Sequence, residues 1–74
     1  MSSDQLSLWT LYEKPLDYPD QFVARRWLAG ATVVPTSDVL LADDLASLRA
    51  KLPQGLHCLP AQPGDDPRII ETWI

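Results

Sequence analysis

The run Phe22-Val23-Ala24-Arg25-Arg26-Trp27-Leu28-Ala29 constrains this chain more than any other stretch. It holds neither glycine nor proline, and it sets two adjacent arginines among apolar residues. Successive side chains of a strand point to opposite faces. Phe22, Ala24, Arg26 and Leu28 then share one face, and Val23, Arg25, Trp27 and Ala29 share the other. Neither face is purely polar, so the run reads as a central strand covered in part on both sides.

The rest of the chain must supply its neighbours within 74 residues, which is one small domain. A domain of this size buries roughly 60–65% of its unfolded surface and draws on the order of 3–5 kcal/mol from its core. An apolar fraction of 46% is that of a globular protein and argues against disorder. The formal charge of -4 repels nucleic-acid phosphates and anionic membranes. Lys14, Arg25, Arg26, Arg49, Lys51 and Arg68 are spread along the chain and form no basic run. The composition therefore predicts no nucleic-acid partner and no membrane partner. Cys58 is the one cysteine, so an internal disulfide is excluded. Residues 1–5 are polar, lack the parts of a signal peptide and read as a disordered terminus. The expected compartment is the cytoplasm.

In chain order, Leu6 to Glu13 alternates loosely and predicts a first strand. Its parity places Trp9 and Leu11 with Ser7 and Glu13, opposite Leu6, Leu8, Thr10 and Tyr12. Lys14 to Gln21 holds two prolines and two aspartates and reads as a loop. Its length permits antiparallel pairing of the strands on either side. Past Gly30, Val33-Val34-Pro35 extends a strand or crosses over. Thr36-Ser37-Asp38 reads as a turn, and Val39 to Ala42 as a third strand. Asp43 or Asp44 is a good helix N-cap. Leu45, Leu48 and Leu52 follow at helical spacing, Arg49 and Lys51 suit the last turn, and Pro53 and Gly55 stop the helix. Leu56 to Leu59 predicts a fourth strand, Pro60 to Pro67 a loop, and Arg68 to Ile74 a fifth strand. The order β-β-β-α-β-β predicts a single α+β domain, with a mainly antiparallel sheet of four to five strands and one short helix.

The stretches Leu11-Tyr12-Glu13-Lys14-Pro15, Asp17-Tyr18-Pro19, Phe22 to Trp27, Gly64-Asp65-Asp66-Pro67 and Ile70 to Ile74 resemble a family of short bacterial proteins. The resemblance covers most of the chain. It implies a cytoplasmic, single-domain bacterial protein, and it carries no activity with it.

No stretch announces catalysis, and no cofactor is expected. His57 and Cys58 are adjacent, so in a strand they point apart and cannot form a nucleophile–base pair. Cys58 is expected to be buried as a small hydrophobe and His57 exposed. Asp43-Asp44 and Asp65-Asp66 match no metal-binding loop, and a helix cap and a turn account for them. Gly30, Gly55 and Gly64 lie too far apart for a phosphate loop.

Arg25 and Arg26 are the most informative pair. One of them can clamp a carboxylate or phosphate, or can pair across the sheet with Glu13 or Glu71. Parity within the strands puts Trp9, Glu13, Arg25, Trp27, Glu71 and Trp73 on one face. The helix is expected to cover the other face, through Leu8, Phe22, Ala24, Ile70 and Ile74. The tryptophan face then predicts a non-enzymatic interaction module, a homodimer or a binder of another protein. The alternative is a small domain that binds an anionic ligand, or acts on one, through Arg25 or Arg26.

Overall fold

The computed structural model describes residues 6–74, so the expectation for residues 1–5 lies outside the described part. Five antiparallel strands form one sheet: β1 (Leu6–Glu13), β2 (Phe22–Ala29), β3 (Val33–Ala42), β4 (Cys58–Pro60) and β5 (Ile69–Trp73), with α1 (Leu45–Lys51) after β3. The order across the sheet is β3-β2-β1-β5-β4. The chain is an α+β domain of the predicted order, and β2 is an interior strand as its mixed faces require.

The first three strands form a meander. The chain then leaves β3 at one edge and must reach β4 at the other. The segment that carries α1 makes this crossing, and a single crossing covers a single face. Asp44 caps α1, its Oδ1 accepting the Ser47 amide at 2.7 Å. Arg49 and Lys51 sit in the last turn, as the helix dipole favours. A helix of seven residues has too few internal bonds to stand alone, so its packing holds it. Leu48 is fully buried against Trp9, Leu11, Ala24 and Ala42, with Leu45 and Leu52 beside it.

Which residues meet the helix depends on register. Glu13 pairs with Phe22 across the loop of residues 14–21, Leu11 with Ala24, and Trp9 with Arg26. Directly paired residues share a face. The helix face thus combines Trp9 and Leu11 of β1 with Phe22 and Ala24 of β2. This corrects the expected helix partners. Leu8 is on the opposite face, and neither Ile70 nor Ile74 joins the core cluster. The reason is the even number of residues in the loop between paired strand ends. It makes each odd-numbered residue of β1 face an even-numbered residue of β2.

Two irregularities account for the other differences. Thr36 to Asp38 is not a turn between strands. It lies within the continuous β3, where the β2–β3 register shifts between Arg25 and Trp27. Thr36 Oγ1 donates to the Arg26 carbonyl at 2.9 Å and accepts the Asp38 amide at 3.1 Å, closing that bulge. Pro35 is tolerated because β3 is an edge strand. A second shift, opposite Leu11 and Tyr12, sets Tyr12 against Ile69. β4 is shorter than predicted and begins at Cys58, although His57 still exchanges backbone bonds with Ile74 at 2.6 and 3.0 Å.

Candidate functional site

The two faces of the sheet carry different chemistry. On the face away from α1, the pairings set Leu6 beside Ala29 and Val33, and Leu8 beside Trp27 and Pro35. The next rows hold Thr72, Thr10, Arg25 and Val39, then Ile69, Tyr12, Val23 and Leu41. The lower rows are closed over. Val23 is fully buried, and Pro15 in the adjoining loop is buried as well. That loop folds by successive turns, with Tyr18 N–H donating to Pro15 O at 3.0 Å and Gln21 N–H to Tyr18 O at 3.2 Å. It brings Asp17 onto the Arg25 guanidinium, which also lies 5.9 Å from the Tyr12 ring centroid. Burial raises the Tyr12 hydroxyl above its ordinary pKa, and Arg25 opposes that rise.

The upper rows stay open. Leu6 and Val33 keep more than half of their surface in water, at 52% and 60%. Trp27 borders two shallow hollows, one toward Pro15, Leu16 and Arg68 and one toward Leu8, Thr10 and Val33. Its Nε1 is buried and donates to no acceptor among the described residues. A buried donor left unpaired is a cost that few groups in a folded protein carry.

The face under α1 holds the other two tryptophans. Trp9 pairs with Trp73, and Leu11 with Glu71. Glu71 is only 5% exposed. Arg49 reaches down from the helix and grips it with both arms of the fork, Nε to Oε2 at 2.8 Å and Nη2 to Oε1 at 2.6 Å. Trp73 Nε1 adds a bond to Oε2 at 2.6 Å. Arg49 holds the Glu71 carboxyl below the usual carboxylate range, against the opposing pull of burial.

The predicted set of Trp9, Glu13, Arg25, Trp27, Glu71 and Trp73 is therefore divided. Arg25 and Trp27 lie on the open face, and the other four lie on the helix face. The face that the helix covers carries Glu13, Arg26 and Glu71, and Arg49 neutralises Glu71 there. Arg25 does find a carboxylate, but it is Asp17 of the loop rather than Glu13 or Glu71. The signal for this partner is Asp17 itself, an acidic residue in the loop that joins β1 to β2.

Cys58 is exposed, which corrects the expectation of a buried thiol. β4 is the outer strand, with no neighbour to cover it. Partial desolvation, and then the charge of Glu71, raise its thiol pKa, so it is a poor nucleophile at neutral pH. Asp65 and Asp66 spend their carboxylates on the backbone amides of Gln62 and Arg68. Gly64 has φ +95 between Pro63 and Asp65, as the third residue of a type II turn requires. Among the described residues, no group of three or more His, Cys, Asp or Glu is placed to hold a metal ion, and no helix is long and apolar enough to cross a membrane.

Arg26 anchors a separate arrangement on the helix face. Its Nε and Nη2 donate to Ser7 Oγ at 3.1 and 3.0 Å, and its Nη1 to Asp38 Oδ2 at 2.6 Å. These groups line a groove of about 500 Å³, whose walls also include Trp9, Leu40 and Leu56. No protein-family model, curated protein or solved structure matches the chain.

Proposed function

We propose that this chain is a non-enzymatic interaction module that forms a homodimer through the open end of its uncovered sheet face. The observation that carries this reading is the apolar set of Leu6, Leu8, Trp27 and Val33, on a face that the single crossover leaves bare. Soluble proteins seldom leave a contiguous apolar sheet surface without a use. Tryptophan and arginine also lead the residue types at interface hot spots, and Trp27 and Arg25 share this face.

A second copy suits the face because a two-fold axis places the same apolar rows against each other. Three of the four arginines are already paired with carboxylates, which leaves little free positive charge for a phosphate backbone.

The test is light scattering combined with size exclusion over a range of concentrations, on the parent and on Val33→Asp. Val33 is 60% exposed, so the substitution should leave thermal stability within about 0.5 kcal/mol of the parent. The parent should have the mass of two chains and the variant the mass of one. A parent that stays monomeric at every concentration ends the proposal.

A further inference from the structure

The groove at Arg26 lies on the opposite side of the sheet from the proposed dimer surface, so it can be judged independently. A guanidinium has five N–H donors. Arg26 commits three of them to Ser7 and Asp38, and two remain free of any partner among the described residues. Asp38 uses Oδ2 for Arg26, and its Oδ1 accepts no bond from the described residues. The groove lining therefore includes a cation with uncommitted donors, hydrogen-bonded to an anion with an uncommitted acceptor. The rest of the wall includes the Trp9 indole, Leu40 and Leu56, which are apolar. The volume of about 500 Å³ falls within the range of small-molecule sites.

This charge arrangement selects among ligands. A simple anion drawn to Arg26 meets the like charge of Asp38, and a simple cation drawn to Asp38 meets Arg26. A molecule with a carboxylate and an ammonium on neighbouring atoms satisfies both at once, and an apolar body on the same molecule rests against Trp9 and the leucines. We propose that the groove binds a small zwitterion with an apolar body, of the class of free apolar α-amino acids. Arg26 holds the carboxylate, Asp38 the ammonium, and Trp9 the side chain.

The experiment is a two-dimensional amide NMR titration of the full chain with L-phenylalanine as the probe, and with 3-phenylpropionate and phenethylamine as partners that each lack one charge. Phenylalanine should move the Ser7, Arg26 and Asp38 amides and the Trp9 indole signal. Each single-charge analogue should bind at least about tenfold more weakly, the scale of one lost charged hydrogen bond. Asp38→Asn should weaken phenylalanine by a similar factor and leave 3-phenylpropionate no weaker than before. Arg26→Lys should weaken both carboxylates, because lysine lacks the fork. Should the lysine variant fail to fold, Asp38→Asn and the ligand series still decide. The proposal is overturned if millimolar phenylalanine moves no signal in this groove, if the signals that move lie on the opposite face, or if the analogues bind as well as the amino acid.

Discussion

The two faces of this sheet are drawn from the same strands, yet one is a core and the other is half bare. Under α1, Leu11, Ala24 and Leu48 are sealed from water, and Glu71 is gripped by an arginine and an indole. On the other side, only the end beside the loop of residues 14–21 is closed, and Leu6 and Val33 remain in water at the far end. Composition does not explain the contrast, since each face has a tryptophan, an arginine and aliphatic residues. Topology does. The chain crosses the sheet once, from β3 to β4, and only the crossed face receives a second layer. In a domain of 74 residues there is no second crossing to spare.

The largest expected effect tests whether the crossed face holds the fold. Leu48→Ala removes a fully buried side chain where the cluster is closed on all sides, and should cost about 2–5 kcal/mol. Against a total on the order of 3–5 kcal/mol, the variant should be largely unfolded or melt far below the parent. Chemical denaturation followed by tryptophan fluorescence measures this. An unchanged midpoint would mean that the helix does not seal the core.

The next effect concerns the ion pair between helix and sheet. Arg49→Ala leaves the Glu71 carboxylate buried with the Trp73 indole N–H and the weak Cys58 thiol as its side-chain donors, and should cost about 2–3 kcal/mol at neutral pH. Its pH dependence gives the sharper check. In the parent, the Glu71 pKa in the fold lies below the ordinary 4.5. The stabilisation is complete above that ordinary value, and is lost as pH falls through the lower folded value. Without Arg49 the largest influence lowering the Glu71 pKa is gone, so the variant has less stability to lose in acid. Parent and variant melting temperatures should converge as pH falls below 4.5. A difference that stays constant with pH would show that Arg49 acts through packing alone.

Much of this was legible in the residues. Leu45, Leu48 and Leu52 at helical spacing, with Asp44 before them and Pro53 after, marked the helix and its buried stripe. Alternation marked β1 and β2 with their observed limits. Alternation within a strand, however, gives only relative parity, and joining the faces of two strands needs the register between them. For β1 and β2 the loop length carried that register, because eight residues between paired ends put Glu13 beside Phe22. Parity without that step puts Trp27 on one face with Trp9 and joins into one site residues that the register divides between two faces. The β5 shift at Tyr12 and the β3 bulge at Thr36 to Asp38 had no such signal. A bulge is fixed by hydrogen bonds from Thr36 Oγ1 that only the folded neighbours define. The pairing of Arg49 with Glu71 likewise depends on where the crossover lands, which spacing along the chain does not encode.

The smallest effects come from making the same change on each face. Trp73→Phe removes the donor to Glu71 Oε2, a bond of 2.6 Å to a buried charge, and should cost about 1–2 kcal/mol. Trp27→Phe also removes an indole N–H, but that N–H is buried without an acceptor among the described residues. Removing an unpaired donor recovers its desolvation cost, which offsets the smaller area of the phenyl ring, so this variant should melt within about 0.5 kcal/mol of the parent. The two changes delete the same atoms and differ only in what the nitrogen touches. A double-mutant comparison with Glu71→Gln separates the terms further. Trp73→Phe should lose much of its effect in that background, and Trp27→Phe should be unaffected, because Glu71 lies across the sheet from it. If Trp27→Phe instead costs as much as Trp73→Phe, the Trp27 nitrogen has an acceptor in solution, and the open face is more fully closed by its own loops than its exposed leucine and valine indicate.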